Sequence, residues 1–376
     1  METEEKTAAT TDHSIKCKDC GASLKFAPGT NALKCEYCGA NNEIQSSTAT
    51  TVIEEIDFEK FLNENNVAEA DKQQLTTVKC SACGASSTLK PNVASDNCPF
   101  CDTALVVKNG TTSSIIRPKY LLPFSFDRKK GLDEFSKWVG SLWFAPGDLK
   151  QKAGNPDKLN GMYIPYWTYD SNTDSQYTGM RGINYVTTET YTAYENNKPV
   201  TRTRTVTRTQ WTPAAGNVNN NFDDVLVLAS RSLPENYAYA LEPWDLSNIT
   251  DYNDSFLAGF RTETYQLDVK GGFEKAKKIM DTEIRNSVRK DIGGDLQQIT
   301  TLSTNFKDIT FKHILLPIWI SAYRYNGKVY RFMINGRTGE VQGERPYSVV
   351  KIVMTVVGVI AAGVAAYFLW QKFGHH

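Results

Sequence analysis

The sequence predicts an α+β protein with two small cysteine-held modules, a pseudo-duplicated antiparallel α+β body and one C-terminal transmembrane helix. Three observations lead to this fold class: four CxxC pairs near the N-terminus, a proline–aromatic motif that recurs in mid-chain, and a continuous apolar run near the end. The composition is otherwise ordinary, because 42 basic residues balance 42 acidic ones. That balance argues against a general nucleic-acid binder, which usually carries a basic excess.

The first 108 residues are organised by the eight cysteines. Residues 1–14 are polar and predict a disordered tail. Each set of four cysteines has fourteen residues between its CxxC pairs, and the second set repeats the first at an offset of 63 residues. Two thiolates three residues apart hold one side of a tetrahedral Zn²⁺, and a second pair brought alongside by a hairpin completes the site. The predicted ligands are Cys17, Cys20, Cys35 and Cys38 in a zinc ribbon at 15–45, and Cys80, Cys83, Cys98 and Cys101 in a zinc ribbon at 78–108.

Both predicted Zn²⁺ ions have a structural rather than a catalytic role, because four thiolates leave no open position for water. Iron held by the same ligands is the alternative. Ribbons bind either protein or nucleic acid, and four lysines with two aromatics surround the first one. The lysines compensate the charge of the metal centre or contact phosphates, and the aromatics could stack on bases. These residues are Lys16, Lys18, Lys25, Lys34, Phe26 and Tyr37.

Residues 46–77 are predicted to be a linker with a short helix. Asp57 is the expected N-cap, and the helix is expected to reach about Gln74, with Phe58, Phe61 and Leu62 on one side. The helix serves as a spacer or packs on the body, with protein docking as the alternative.

The body at 118–346 shows a possible internal duplication. Pro165 in GMYIPYWTYD matches Pro317 in HILLPIWISAY, and tyrosine-led strands follow at Tyr177 and Tyr330. Ahead of each motif the pattern predicts a strand and then a helix, at 120–126 and 129–142 in the first half, and at 262–269 and 272–290 in the second. The apolar helix positions recur at helical spacing, which predicts helices packed on an antiparallel sheet. They are Leu132, Phe135, Val139 and Trp143, then Phe273, Ala276, Met280, Ile284 and Val288.

A long β-hairpin is predicted inside the first half, with strands at 183–194 and 200–212 and a turn at 195–198. A two-residue turn places Glu189 opposite Arg204. The alternating run TRTRTVTRT puts three arginines on one face, which pair across the strands or meet phosphates or anionic headgroups. They are Arg202, Arg204 and Arg208.

Residues 349–371 are predicted to form a transmembrane helix. The run 352–370 contains no Asp, Glu, Lys, Arg, His, Asn or Gln, and at about 1.5 Å of rise per residue it spans roughly 28 Å of bilayer. Arg345 and Lys351 before the run, against Lys372 after it, favour a cytoplasmic N-terminal side. The N-terminus shows no signal-peptide pattern. The expectation is a single-pass protein of the cell membrane whose bulk lies in the cytoplasm, where reduced cysteines bind metal.

Catalytic motifs are absent from the sequence, which predicts a non-enzymatic protein. The chain has no GxxxxGK[ST], GxSxG or HExxH motif. His13 lies in the polar tail, and His313 has no partner that the sequence nominates. Asp170-Ser-Asn172-Thr-Asp174 begins like a calcium loop but lacks the required glycine, so no metal is assigned there.

The tandem CxxCGA-type ribbons, the IPYW and LPIW strands, the GKVYRFMINGRTGEVQGERPYS run and the terminal span together resemble the YdjG-type zinc-ribbon membrane proteins of bacteria. This resemblance covers nearly the whole chain and implies a membrane partner of phage-shock-protein-A-like and flotillin-like proteins in envelope stress. Only the ribbon cysteines correspond residue by residue.

Two functions remain open at this point. The first is a non-enzymatic, tail-anchored membrane adaptor that recruits phage-shock-protein-A-like proteins to the cytoplasmic membrane. Its expected docking face is the ribbons, as small rigid modules on a linker. The alternative is a membrane-tethered nucleic-acid-binding zinc-ribbon protein, whose binding would weaken steeply with salt.

Overall fold

The computed structural model describes residues 15–44, 54–64, 72–81, 86–88, 95–98, 104–106, 110–149, 151, 159–195 and 197–373. These residues form a mixed α+β structure with large antiparallel sheets, a group of four cysteines near the N-terminus and one apolar C-terminal helix. The predicted fold class is confirmed at this level.

The secondary structure is dominated by a few very long strands. In chain order the described strands are β1 Leu24–Phe26, β2 Ala32–Cys35, β3 Asn41–Glu43, β4 Ile56–Asp57, β5 Lys72–Lys79, β6 Ser86–Thr88, β7 Ser95–Asn97, β8 Ala104–Val106, β9 Gly110–Ile116, β10 Tyr120–Leu121, β11 Asn160–Glu195, β12 Lys198–Leu228, β13 Thr250–Asp251, β14 Arg261–Thr262, β15 Leu296–Tyr325, β16 Lys328–Asn335 and β17 Val341–Gly343. The described helices are α1 Phe58–Glu64, α2 Arg128–Ser141, α3 Glu235–Ala240, α4 Asp254–Leu257, α5 Val269–Ile292 and α6 Val349–Phe373, with a 3-10 turn at Leu246–Asn248.

The main sheet is built on the antiparallel neighbours β12, β11 and β15, and β10 and β13 continue it beyond β15. The two proline motifs face each other there, with Tyr163 opposite Pro317 and Pro165 opposite Leu315. β16 pairs with both β15 and β17, and β4 pairs with β15. Smaller sheets, β1-β2-β3, β6-β5-β9 and β7-β8, contain the cysteine-bearing segments.

Helix α2 packs its apolar stripe on one face of the sheet. Asp127 caps its N-terminus by accepting a hydrogen bond from the backbone N–H of Lys130 at 3.0 Å. Phe135 and Val139 are buried as predicted. The predicted fourth core position is wrong, because the helix ends at Ser141 and leaves the Trp143 side chain 75% exposed.

Helix α5 packs on another part of the sheet. All five residues of its predicted stripe are buried, and Asp268 caps its N-terminus. The prediction of this helix is confirmed, with three extra residues at its start and two at its end. The preceding strand is shorter than predicted, because β14 ends at Thr262 and Val269 already belongs to the helix.

The internal duplication stays a prediction. Consistent with it, β10 runs parallel to β15 and β14 runs parallel to β11. The tyrosine-led strands do not correspond, however. Tyr177 continues the same strand as Pro165, whereas Tyr330 lies on a new strand after a turn at Asn326 and Gly327.

Two local predictions in the linker and the hairpin have different outcomes. Asp57 caps α1 as expected, but the described helix ends at Glu64 and strand β5 begins at Lys72, so the predicted extension to Gln74 is wrong. The hairpin prediction is confirmed in register, since Glu189 lies opposite Arg204. Its strands are much longer than predicted and continue into the main sheet.

Candidate metal centre and its attachment to the body

The first four-cysteine set forms a compact sulfur cluster. The sulfur atoms of Cys17 and Cys38 lie 3.6 Å apart and those of Cys20 and Cys35 lie 3.5 Å apart. All four lie within 4.8 Å of one another. A tetrahedral zinc with Zn–S bonds of about 2.3 Å requires sulfur separations of about 3.8 Å. The four residues therefore fit the predicted metal.

Two glycine turns shape this cluster. Gly21 and Gly39 follow the CxxC pairs with φ values of 73° and 79°, and their N–H groups donate to the carbonyl oxygens of Cys17 and Cys35 at 2.9 Å. A side chain would be strained at such φ, so the glycines allow the tight turn. The corresponding Gly84 lies outside the described residues.

Backbone donors favour thiolates on the two buried cysteines. The backbone N–H of Cys38 points at the sulfur of Cys35 and lowers the pKa of that thiol to about 6. The pKa of Cys17 is lowered in the same way, chiefly by the N–H of Cys20. Because metals bind the thiolate form, these hydrogen bonds prepare the cluster for metal binding.

The second four-cysteine set is described only in part. Cys80 and Cys98 are both buried, as are Cys17 and Cys35 at the equivalent places in the first set. Cys83 and Cys101 lie outside the described residues. A second metal site therefore stays a prediction that rests on the repeated spacing.

The charged residues around the first ribbon are partly engaged with each other. The Lys25 ammonium lies 2.5 Å from a carboxylate oxygen of Glu36. The aliphatic carbons of the Lys25 side chain lie against Gly259 of the body. Lys25 therefore also packs between the ribbon and the body. Tyr37 is 87% exposed.

The first ribbon is docked on the body rather than held on a free linker. The N–H of Phe26 donates to the carbonyl of Ala258 at 2.9 Å, and the N–H of Gly29 donates to that of Phe124 at 2.9 Å. The rings of Phe26 and Phe256 meet edge to face at 5.1 Å. The first ribbon therefore packs on the body, and its predicted role as a docking face stays a prediction.

The described part of the second ribbon is also joined to the body. Val78, Cys80 and Cys98 belong to one buried cluster with body residues such as Leu122 and Ile164. Strand β5, whose eight residues end directly before Cys80, pairs with β9. The cysteine-bearing segments therefore cover apolar surface of the sheet.

A second group of side chains could hold a metal ion, but a buried lysine pairs with two of its members. The group consists of Asp170, Asp223 and Asp224. The Lys312 ammonium lies 2.7 Å from Asp224, 2.9 Å from Glu55 and 3.7 Å from Asp170, and its side chain is only 4% exposed. Burial opposes the charge on Lys312, but hydrogen bonds to Asp224 and Glu55 outweigh it and raise its pKa. Asp170 and Asp224 therefore belong to an ion-pair network with Lys312 and Glu55, and no metal is assigned to the group.

The histidine that the sequence left without a role lies in the core. His313 packs against the rings of Trp167 and Tyr265, and its Nδ1 lies 3.0 Å from the carbonyl oxygen of Ile116. Burial lowers the pKa of His313 to about 4, so the ring is neutral at pH 7. The contacts describe a packing role for this residue.

A buried carboxyl that sequence reasoning missed lies at Glu263. It is 1% exposed, it accepts hydrogen bonds from Ser232 and Gln266, and its Oε2 has no hydrogen-bond partner among the described residues. Burial raises the pKa of Glu263 to about 7. The folded state therefore holds a proton on this group up to about neutral pH, whereas the unfolded chain loses it near its ordinary value.

Because the pKa of Glu263 is raised, we predict that the effect of Glu263→Gln on stability depends on pH. The raised pKa of Glu263 contributes to the free energy of unfolding. This contribution is fully present below about pH 4.5 and is lost as the pH rises to about 7. We expect Gln to be nearly neutral at pH 4.5 and to stabilise the body by up to about 3 kcal/mol at pH 8. Urea unfolding of the detergent-solubilised chain at the two pH values measures this. Equal effects at both pH values would contradict the assigned ionisation.

Comparison with known proteins gives one informative similarity. The chain is 24% identical over 248 residues to the uncharacterized protein YdjG of Bacillus subtilis (strain 168), a match that covers 66% of this chain and 69% of YdjG. No family model matches the chain. No solved structure matches it either. The similarity supports a YdjG-like family for this protein.

Proposed function

We propose that this protein is a non-enzymatic, tail-anchored adaptor that recruits phage-shock-protein-A-like proteins to the cytoplasmic face of the cell membrane in envelope stress. Flotillin-like membrane proteins are the second proposed class of partner. The observation that carries the proposal is helix α6. It is long and apolar enough to cross a membrane, and none of its apolar window is buried against the body. The apolar surface of α6 is therefore available to the membrane, and the folded body is available to bind a partner.

We also propose that each chain binds two zinc ions. The tetrahedral spacing of the sulfurs in the first set supports one ion. The matching burial of Cys80 and Cys98 supports the second. The ions hold the ribbons folded on the body, because each ribbon is too small to form a sufficient apolar core of its own.

A projecting hairpin is the best candidate for the partner-binding surface. β15 pairs with β11 as far as Gly182, and beyond that residue the described pairing joins only β11 and β12. We call this two-stranded part, residues 183–195 and 197–210, the arm. Its thirteen residues from Ile183 to Glu195 extend about 40 Å at roughly 3.3 Å each. The arm therefore reaches well beyond the main sheet.

The arm exposes side chains that protein interfaces favour. Val186 is 68% exposed and Tyr194 is 76% exposed, and alternation places both on one face among threonines. Tyrosine is enriched in interfaces, and the outer edges of a two-stranded ribbon can accept a further strand. These features favour docking of a protein segment along the arm.

The arginines of the arm fit this function better than nucleic-acid binding. Arg204 lies 3.3 Å from Glu189, and Arg208 pairs with the same carboxylate. The pKa of Glu189 is lowered by these arginines, chiefly by Arg208. Cross-strand pairing therefore accounts for two members of the arginine row, which leaves less charge for phosphates.

Recruitment in cells tests the proposal. A fluorescent phage-shock-protein-A-like partner is co-expressed with the full chain, with Val186→Thr/Tyr194→Thr, or with a chain carrying an unrelated span. Threonine keeps the β-propensity of the arm and removes its apolar contacts. We expect the unrelated span to preserve recruitment and the arm variant to abolish it.

Tyr37→Thr is the matched control for the arm variant. It removes an equally exposed ring from the first ribbon, and we expect recruitment to be normal. Normal recruitment by the arm variant would rule out the arm. Loss of recruitment on span exchange would place partner binding in the membrane instead.

A further inference from the structure

A polar, aromatic cavity lies at the base of helix α6. Its volume is about 500 Å³, and it is formed by the end of α2, α3 and the last strands before the helix. The residues that line it are Trp138, Tyr237, Lys328, Tyr330, Gln342, Gly343, Glu344, Arg345 and Tyr347. The last of these stands two residues before α6 begins at Val349.

The charged groups of this cavity favour a monoanionic ligand. Neither Lys328 nor Arg345 forms an ion pair within the part of the chain that the structure describes, and both are exposed. The Arg345 guanidinium lies 5.4 Å from the centre of the Tyr347 ring, and its Nε lies 3.4 Å from the Tyr347 hydroxyl. Glu344 uses one carboxylate oxygen to accept the backbone N–H of Arg331 at 3.2 Å. Two cations against one engaged carboxylate leave a net positive charge.

The loop that follows α2 is hydrogen-bonded to the start of α6. The N–H of Ser348 donates to the carbonyl of Phe144 at 2.7 Å. The Lys351 ammonium donates to the carbonyls of Ala145 at 2.8 Å and Trp143 at 3.2 Å. The loop after α2, the helix that contributes Trp138 to the cavity, is therefore held against the start of α6.

This loop also exposes aromatic side chains beside the helix. Trp143 is 75% exposed and Phe144 is 36% exposed. Tryptophan beside a lysine at the end of an apolar helix is typical of the level at which lipid headgroups meet water. If α6 crosses a bilayer, both the loop and the cavity lie at the headgroups.

We propose that the cavity binds the headgroup phosphate of an anionic phospholipid in the leaflet from which α6 emerges, while Trp143 and Phe144 lie among neighbouring headgroups. This inference rests on the membrane anchor of the proposed function. Lys328 and Arg345 donate charge-assisted hydrogen bonds to the phosphate, and the tyrosine hydroxyls bind the remaining headgroup oxygens. The bound lipid would fix the orientation of the body on the membrane.

Native mass spectrometry of the full chain released from detergent micelles tests the site. Three samples are compared. The micelles carry phosphatidylglycerol in the first and phosphatidylcholine in the second, and the third has lipid-free micelles with inorganic phosphate in the buffer. We expect the chain to retain one phosphatidylglycerol in preference to phosphatidylcholine, and to retain no phosphate. In the variant Lys328→Gln/Arg345→Gln we expect the affinity for phosphatidylglycerol to fall about tenfold or more, because two charge-assisted contacts are lost.

Lys270→Gln/Lys278→Gln is the matched control, since it removes two exposed cations of α5 that do not line the cavity. We expect it to retain phosphatidylglycerol like the unmodified chain. Equal retention by the cavity variant would overturn the inference, as would equal binding of phosphatidylcholine. Binding of inorganic phosphate with the same affinity would show a soluble anion site and would also overturn it.

Extraction of membranes with carbonate separates this inference from the proposed anchor. If the full chain stays in the membrane while the cavity variant retains lipid normally, only the lipid site fails. If carbonate releases the full chain, the anchor itself fails, and the lipid site fails with it.

Discussion

Cys35→Ser is expected to release the metal of the first ribbon and to unfold strands β1 and β2, while β11 and β15 stay paired. Cys35 is fully buried, and it is the thiol whose pKa the backbone lowers to about 6. Structural zinc contributes about 10–16 kcal/mol to the folding of comparable small domains, so the ribbon has no sufficient substitute for it. Metal analysis should fall from two zinc ions per chain to one.

The attachment of the ribbon to the body gives this prediction a second readout. Unfolding of β1 removes Phe26 from Phe256 and exposes the apolar surface between them. We expect binding of a hydrophobic dye to rise, and backbone hydrogen exchange to accelerate in β1 and β2. Tyr37→Ser is the control, since its exposed ring neighbours a ligand without contacting the core. Iron in place of zinc, or full metal content in Cys35→Ser, would contradict the assigned site.

Lys312→Met is expected to destabilise the body by about 3–5 kcal/mol, because it leaves partly buried carboxylates without their shared cation. Asp170, Asp224 and Glu55 all lie within 3.7 Å of the Lys312 ammonium. Glu55 also accepts a hydrogen bond from Thr310, so the network ties the segment before α1 to β15. Urea unfolding of the detergent-solubilised chain at pH 7 measures the loss.

Lys307→Met is the matched control for this change. Lys307 lies five residues away on the same strand, and its ammonium lies 3.6 Å from Asp174, but its side chain is 52% exposed. Exposed ion pairs contribute about 0–1 kcal/mol, so the control should unfold almost like the unmodified chain. Equal losses in the two variants would show that burial of the network has no special role.

Local patterns predicted the elements whose causes are local. The cysteine spacing predicted the first cluster, because the CxxC turn needs only its own residues and a following glycine such as Gly21. The apolar stripe from Phe273 to Val288 predicted α5 for the same reason. The arm register agrees with the two-residue turn that the sequence predicted, since turn length fixes which residues lie opposite each other.

Long-range packing decided the features that the sequence did not predict. Phe26 meets Phe256 and Ala258, more than 200 residues later in the chain, so nothing near the cysteines indicates that the ribbon is docked. The continuity of β11 through Tyr177 depends on pairing with both β12 and β15. Trp143 matched the stripe of α2 in spacing, but the helix ends two residues before it.

The ion-pair network was missed for a related reason. Its members come from the segment before α1, from β11, from β12 and from β15, and no short motif contains two of its opposite charges. The available signal was Lys312 in FKHILL, a lysine next to the apolar run ILLPIWI. A cation in such a place needs carboxylate partners to be buried.

The most direct test of the membrane-adaptor function is flotation of a purified phage-shock-protein-A-like partner with vesicles that carry the full chain. At physiological salt, we predict that the partner floats with these vesicles and not with empty ones, and that Val186→Thr/Tyr194→Thr abolishes flotation. Moderate salt should have little effect, because the proposed contacts are mainly apolar. A partner that stays at the bottom, while a DNA duplex floats in a strongly salt-dependent way, would contradict the adaptor and favour nucleic-acid binding.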